Sequence, residues 1–356
     1  MPMTSSGEPS GNASSRLRSK SAQGRAEQRV ATQADIAERV GVSRQLVGLV
    51  FRGAPGVGAE TEAKIRTAAK ELGYRPNVAA QSLRRDASKH IGVVFHIAES
   101  AMTELLPALY AEAEKEGFDL ILSAVSSFRD ENQAIDEIMS FRCSGLILIA
   151  STLSVSKLQK MAREVPLVSL GRRLDKVRCG VVSSKGESGV FDAVEYLVGL
   201  GHKKIGYVWA KDMLDGEYRL EGYVSAMDKY RLNKQIVPIS GDFAERGGAA
   251  AAEVFLKKEM PTAILCNNDQ SAFGLSMRLL QAGIKIPQDV SVIGYDDTIA
   301  QYEFLNLTTV RQEPQELALA AVKDLVARIR GEKYLSETFL TSSKLVKRAS
   351  TAAPHE

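Results

Sequence analysis

From Ile91 onward the chain alternates short apolar runs with helical stretches, and that alternation leaves few folds open. The runs are IGVVFHI (91–97), FDLILS, GLILIA, PLVSL, CGVVS, KIGYVWA (204–210), QIVPIS, TAILC and VSVIGY. Between most of them lie stretches with helical spacing of apolar residues, near 131–141, 187–200, 219–230, 247–258 and 269–282. Runs that are apolar throughout read as strands buried on both faces, and a βαβα rhythm implies parallel sheets covered by helices. Roughly ten strands suit two doubly wound lobes better than one sheet. The break is expected near 187–203. A closing helix (315–330) and the strands after it are expected to return and complete both lobes.

Ahead of this body, residues 30–75 read as three short helices. Thr32 is placed to cap the first, with Asp35 three residues on and Ile36, Ala37 and Val40 as its apolar stripe. Gly41 breaks it, Ser43 caps the next, and a third runs from about Ala59 to Leu72, offering Ala63, Ile65, Ala68, Ala69 and Leu72 for packing. At 100° per residue, positions 44–52 sort onto two sides. Val47, Val50 and Phe51 share one side, with Leu46 at its margin; Arg44, Gln45, Gly48, Leu49 and Arg52 occupy the other. Arg and Gln side chains make bidentate contacts to base edges in the major groove, while a Ser at a helix start donates to a phosphate. A small helical domain that contacts another protein has the same pattern.

Charge separates the two parts. Residues 1–90 hold 15 Lys and Arg against 8 Asp and Glu, whereas the remaining residues hold 31 against 35. A basic head on a mildly acidic body points to nucleic acid. The three cysteines, Cys143, Cys179 and Cys266, are far apart with no CxxC, which excludes a disulfide framework and fits a reducing compartment. No run of about 18 apolar residues is present to span a membrane. Residues 1–29 lack the apolar segment of a secretory signal and read as a disordered tail.

Read together, "ATQADIAERVGVSRQLVGLVFRG", "ELGYRPNVAAQSLRRDASKHIGVV", "GHKKIGYV", "YRLEGY", "GDF", "CNNDQSAFGL" and "VSVIGYDD" resemble the LacI/GalR family of transcription regulators, in that family's order. The resemblance implies a helix-turn-helix headpiece with a hinge helix, then a two-lobed doubly wound α/β effector domain like the type I periplasmic binding proteins. It places Thr32, Ser43 and Thr61 at phosphates, and Arg44, Gln45 and Leu46 at base edges. It also makes residues 76–84 a hinge helix, in which Leu83 wedges between base pairs in the minor groove. Ala80 lets two such helices approach, and Tyr74 and Asn77 make nearby polar contacts. Nine residues starting at Pro76 are too few for a stable isolated helix, so ordering is expected only on pairing and docking. Gly48 and Leu49 stand where relatives commonly carry Ser and Arg; Leu49 reaches a thymine methyl but cannot donate to guanine.

Ligands of open α/β sheets bind beyond the carboxyl ends of the strands. Asp296 and Asp297 follow VSVIGY, Asn267, Asn268 and Asp269 follow TAILC, and Arg219 is read as opening the helix after KIGYVWA. Asp269 reads as an N-cap and Asp297 as structural. The resemblance matches Arg219, Phe243, Asn268 and Asp296 to effector positions, a set suited to hydroxyl-rich ligands. Two departures matter: "ESAMTELL" replaces an Asn-Pro-Phe-Phe-like turn, and Lys185 and Gly186 replace an Asp-Asn. These leave an anionic or phosphorylated ligand open, with His96 and Glu99 at the right strand end to compensate.

The expected layout is a tail (1–29), a helix-turn-helix domain (30–75), hinge and linker (76–90), and an effector and dimerisation domain (91–356). Its first lobe is about 91–186 plus part of 312–345, and its second about 187–311 plus the C-terminal strand. The expected function is a cytoplasmic, homodimeric, sequence-specific repressor of a near-palindromic double-stranded DNA operator, associated with the nucleoid when bound. It is controlled by a small-molecule effector, a sugar or related metabolite, with no membrane partner. Either sign of coupling, release from DNA or promotion of binding, is open. A solute-binding protein sharing the body fold is the alternative. An enzyme is disfavoured, because P-loop, GxGxxG, GxSxG and HExxH motifs are missing; the reading contains no catalytic residue, cofactor or metal. "ASTAAPHE" (349–356) carries no heptads, which favours a dimer over a tetramer.

Overall fold

The computed structural model describes residues 31–52, 54–74, 88–211, 213–239, 245–333 and 338–355. The chain divides into two compact units, Met1–Asp86 and Ala87–Glu356.

In the first unit, α1 (Gln33–Val40), α2 (Arg44–Arg52) and α3 (Ala59–Glu71) are each too short to persist alone. Local signals set their ends. Thr32 and Asp35 form a complete capping box, with the Asp35 carboxylate accepting from the Thr32 N–H at 2.7 Å. Ser43 Oγ accepts from the Leu46 N–H at 3.2 Å and starts α2. A shared core of Ile36, Val47, Val50 and Ile65 supplies the remaining stability, about 2 kcal/mol for each side chain removed from water. Phe51 and Tyr74 pack at its edge with ring centroids 5.1 Å apart.

Two expectations fail here. Ala63 and Leu72 are exposed, leaving Ile65, Ala68 and Ala69 as the packing face of α3. Gly48, assigned to the outer side of α2, is buried. A Cβ there would lie 3.1 Å from Arg52 Nη1 and 3.7 Å from Gln33 Oε1. A helical wheel gives the angle of a position but not how closely the neighbouring chain crosses it, and here the start of α1 covers the glycine.

The second unit holds two six-stranded sheets. The first is built from β1 (His90–His96), β2 (Asp119–Val125), β3 (Gly145–Ile149), β4 (Leu167–Leu170), β5 (Gly180–Ser184) and β11 (Phe339–Thr341). Its order is β11-β5-β4-β3-β1-β2, parallel throughout. The second contains β6 (Ile205–Ala210), β7 (Gln235–Ile239), β8 (Ala263–Cys266), β9 (Ser291–Asp296), β10 (Thr308–Arg311) and β12 (Lys344–Val346). Its order is β12-β10-β9-β8-β6-β7, and only the β12–β10 pair is antiparallel. β10 was missed in the sequence because its centre is Thr308 and Thr309 rather than an apolar run; both are fully buried. Their hydroxyls are satisfied locally, Thr309 Oγ1 donating to Asp269 Oδ1 at 2.6 Å and Thr308 Oγ1 to the Arg348 carbonyl at 3.2 Å.

Helices α4 (Met102–Lys115), α5 (Glu131–Ser140) and α6 (Val155–Glu164) belong to the first lobe. Helices α7 (Gly186–Gly199), α8 (Leu214–Lys229), α9 (Glu245–Leu256) and α10 (Asp269–Gln281) belong to the second. The long α11 (Pro314–Arg330) returns to the first lobe, burying Leu317, Ala321, Val322 and Leu325 in its core. The chain therefore passes between lobes after β5, after β10 and after β11. On the second lobe α9 and α10 cross at paired glycines. A Cβ on Gly248 would fall 1.9 Å from the Ser271 carbonyl, and one on Gly274 would fall 1.8 Å from the Glu245 carbonyl. Residues 350–352 lie along β9: Ser350 Oγ donates to the Val292 carbonyl at 2.6 Å, and buried His202 links Thr262 to the Ala352 carbonyl.

Candidate functional site

In the first unit, the cap at Ser43 fixes where α2 begins, and Arg44 and Gln45 emerge exposed from its first turn. Neither side chain has a hydrogen bond or ion pair among the described residues. Leu46 and Leu49 are half-buried beside them, and Thr61 is half-buried in the first turn of α3. The Thr32 hydroxyl donates to Asp35 at 2.7 Å, so a phosphate at that point would meet the backbone N–H groups of the helix start before a free hydroxyl. Tyr74 is anchored on Phe51. Asn77, Ala80 and Leu83 lie outside the described residues.

In the second unit, a cavity opens between the lobes at the carboxyl ends of the strands. Glu99, Met102, Leu105, Ile149, Leu170 and Arg172 line it from the first lobe, and Asp215, Arg219, Asn268 and Asp296 from the second. Polar contacts tie the lobes across it. Thr298 Oγ1 donates to Ser100 Oγ at 3.1 Å. Arg173, after β4, pairs with Glu187 of α7 at 2.6 Å and stacks on the Tyr218 ring at 4.2 Å.

Arg219 anchors the floor. It donates to Asp215 and to the Asn267 carbonyl (2.5 Å), lies 3.8 Å over the Tyr295 ring and sits 3.9 Å from Asp296 Oδ1. Burial works against its charge, but Asp215, Tyr295 and Asp296 outweigh it and hold the group firmly protonated. Arg219 does not open its helix. α8 begins at Leu214, before Gly216, because that glycine passes against the Ala210 carbonyl, where a Cβ would be 2.5 Å away. The guanidinium is thus held from the second turn, one turn above Asp215.

Asn268, not Asp269, caps α10: its Oδ1 accepts from the Ser271 N–H at 2.8 Å. Only its amide nitrogen remains for another partner. Asp269 is fully buried and accepts from Thr309 and from the Thr298 N–H (2.8 Å); burial and the nearby Asp296 push its carboxyl up to about 7. Asp297 is also structural, pairing with Arg348 at 2.6 Å and Arg311 at 3.5 Å. Burial raises Asp296 to about 6, against the pull of Arg219 and a 2.6 Å hydrogen bond from Gln312 Nε2.

Of the two residues offered as compensation in the first lobe, only Glu99 reaches the cavity. His96 is not part of the lining; burial lowers its pKa, opposed by Glu131. The Glu99 carboxyl has no hydrogen bond or ion pair among the described residues. Burial, with repulsion from Asp215 and Asp296, pushes it up to about 8 against the pull of Arg219. Phe243 lies outside the described residues. Asp215 and Gln312 were missed; the (i, i+4) spacing of Asp215 and Arg219 was the available signal.

Comparison with known proteins agrees with both units. Residues 32–77 match the family described as bacterial regulatory proteins, lacI family, and residues 194–351 match the periplasmic binding protein-like domain. The chain is 30% identical to the HTH-type transcriptional regulator AscG of Escherichia coli (strain K12), covering 91% of this chain and 99% of that protein. It is 28% identical to the HTH-type transcriptional repressor CytR of the same organism, covering 91% and 97%. Among solved structures, the lac repressor dimer bound to operator and the anti-inducer ONPF superimposes with a TM-score of 0.79 at 29% identity, covering 91% of this chain and all of that one. These relatives are regulators rather than enzymes, and the matched DNA-binding segment leaves the solute-binding alternative without support. The chain belongs to the LacI family of bacterial regulatory proteins.

Proposed function

We propose that this protein is a cytoplasmic repressor that binds a near-palindromic operator as a homodimer and is switched by a small molecule between its lobes. The observation that carries the reading is the start of α2, where Arg44 and Gln45 are exposed and uncommitted on a helix whose register is fixed by Ser43 and by a buried opposite face. In this reading Arg44, Gln45 and Leu46 read bases. Thr32, Ser43 and Thr61 meet phosphates, and Leu83, with Ala80, Asn77 and Tyr74, forms the minor-groove contact. Gly48 is too buried to read a base, so operator divergence from relatives rests on Leu49.

The effector, a carbohydrate or related metabolite, occupies the cavity lined by Arg219, Asn268 and Asp296, with Phe243 as a further contact. Because the lobes are joined at three crossings and tied by Ser100–Thr298 and Arg173–Glu187, a ligand bridging them biases their relative position. Operator affinity and ligand affinity are then coupled reciprocally. Two-fold symmetry of the protein mirrors that of the operator. Exposed Tyr302 and Phe304, stacked at 5.8 Å, and exposed Phe339 are apolar surface available to a second copy.

The test is selection of bound sequences from a random duplex pool, repeated across a salt titration. Enrichment of a palindromic site that Arg44→Ala relaxes at one position per half-site supports the reading. Uniform binding of all duplexes overturns it. Leu83→Ala should abolish DNA bending at the selected site, and unchanged bending would remove the wedge role.

A further inference from the structure

The reading of the cavity as an effector site leaves the ligand's chemical class unassigned, and the charges around the cavity constrain it. Among the described residues, six ionisable side chains line it: Glu99, Glu104, Asp215 and Asp296 against Arg172 and Arg219. Of these cations, Arg172 keeps N–H groups without a partner among the described residues. Arg219 is taken up by Asp215, the Asn267 carbonyl and the Tyr295 ring. Arg172 Nη1 donates to the Ser151 carbonyl at 2.9 Å and the Leu153 carbonyl at 2.5 Å. The carboxyl groups outnumber the guanidiniums by two, and Glu99 stands without a partner among the described residues. The rest of the wall combines the aliphatic Leu105, Ile149, Leu170 and Leu317 with the polar Ser100, Ser184, Asn268, Thr298 and Gln312.

A phosphate or carboxylate placed beside Glu99 and Asp296 would keep Glu99 protonated and meet the like charge of Asp296 away from bulk water, where charges interact most strongly. A neutral polyol would hydrogen-bond the protonated Glu99 but gain nothing from its ionisation. An ammonium supplies three N–H donors and a positive charge. We propose that the effector carries a positive charge, an amine on an aliphatic or hydroxylated body, received by Glu99 and Asp296.

The proposal rests on the cavity being the effector site, and it carries a pH signature of its own. Glu99 faces Asp215 and Arg219 from α8, Asp296 from the end of β9, and Glu104 from the helix that follows it. Burial and the two aspartates hold it up to about 8 in the empty cavity. A cation favours its ionised form, so binding releases that proton to solvent. Affinity for a strongly basic amine should rise with pH between 6 and 8, by up to about tenfold per unit. It should level off above 8 until the amine itself deprotonates.

The experiment uses full-length protein and matched probes differing in charge: D-glucosamine, D-glucose and D-glucose 6-phosphate, then 1,4-diaminobutane, 1,4-butanediol and succinate. Thermal shift and calorimetry at pH 6, 7 and 8 read binding. The expected result is that the amine of at least one set binds at least about tenfold tighter than its neutral and anionic counterparts, with affinity rising with pH to 8 for 1,4-diaminobutane and only until its ammonium deprotonates for D-glucosamine. Glu99→Gln should remove most of that preference and the pH dependence, and Asp296→Asn should weaken the same amine. A neutral or anionic probe binding equally or better, or no response from either amine, overturns the proposal. Operator selection with ligand-free protein separately decides the regulator reading, so failure of one is not mistaken for failure of the other.

Discussion

Replacing Glu99 by Gln should stabilise the ligand-free protein, and only where the carboxyl would otherwise ionise. The folded-state carboxyl is displaced from 4.5 to about 8, chiefly by burial and by Asp215 and Asp296. Between those values the folded protein keeps a proton that the unfolded chain has released. Wild-type stability therefore falls as pH rises through this window and levels off above 8. At ~1.4 kcal/mol per pH unit the limiting difference is about 5 kcal/mol. The carboxyl is partly open to water, which screens it, and about 2 kcal/mol is the more realistic figure. For a unit of this size that amounts to roughly 4–8 °C in melting temperature. Glu99→Gln and wild-type should melt together at pH 4 and separate progressively to pH 9, with the variant higher. Asp269 and Asp296, raised to about 7 and 6, add slopes of the same sign to both proteins, so the difference between the two curves reports mainly Glu99. Scanning fluorimetry across pH 4–9 is sufficient. A gain that does not vary with pH, or a variant less stable at pH 9, would refute the assignment of an uncompensated carboxyl.

Arg219→Gln should have the opposite effect, costing roughly 3–5 kcal/mol by leaving Asp215 and Asp296 buried without their cation; calorimetry at neutral pH measures it, and a loss below 1 kcal/mol would count against the buried network. Arg173→Ala removes an interlobe tie to Glu187 and Tyr218. If it favours the closed arrangement by about 1 kcal/mol, ligand affinity should fall roughly fivefold with little change in melting temperature, and an unchanged affinity would show that the tie does not bias closure. Thr32→Ala breaks the capping box on α1 and should cost about 1 kcal/mol in the headpiece, seen as faster amide exchange across Gln33–Val40. Exchange at the wild-type rate would mean the cap is dispensable.

What could be read from the sequence depended on how local its physical basis was. Capping at Thr32 and Ser43 and the apolar strand runs follow from patterns spanning a few residues, and the two-sheet architecture followed from them. The break between lobes lies before α7 rather than within 187–203, because α7 packs on the second sheet. β10 escaped because Thr308 and Thr309 satisfy their hydroxyls with partners 40 residues away. Gly48 was misplaced because burial of a glycine is decided by the chain crossing it. The start of α8 was set too late because Gly216 reads as a loop unless its close approach to Ala210 is known. In the site, Arg219 and Asp296 were legible as motif positions. That Glu99 meets Asp215 across the cleft was not, since this depends on how two separately folded sheets face each other.

The glycine crossing of α9 and α10 also has a mechanical consequence. Where Gly248 and Gly274 bring main chain against main chain, no side chain lies between the helices to change rotamer and absorb displacement. That part of the second lobe behaves as a stiff plate rather than a cushion. Work done by a ligand at Asn268, which begins α10, is therefore not dissipated in local repacking. In the proposed reading, it passes to the three interlobe crossings instead.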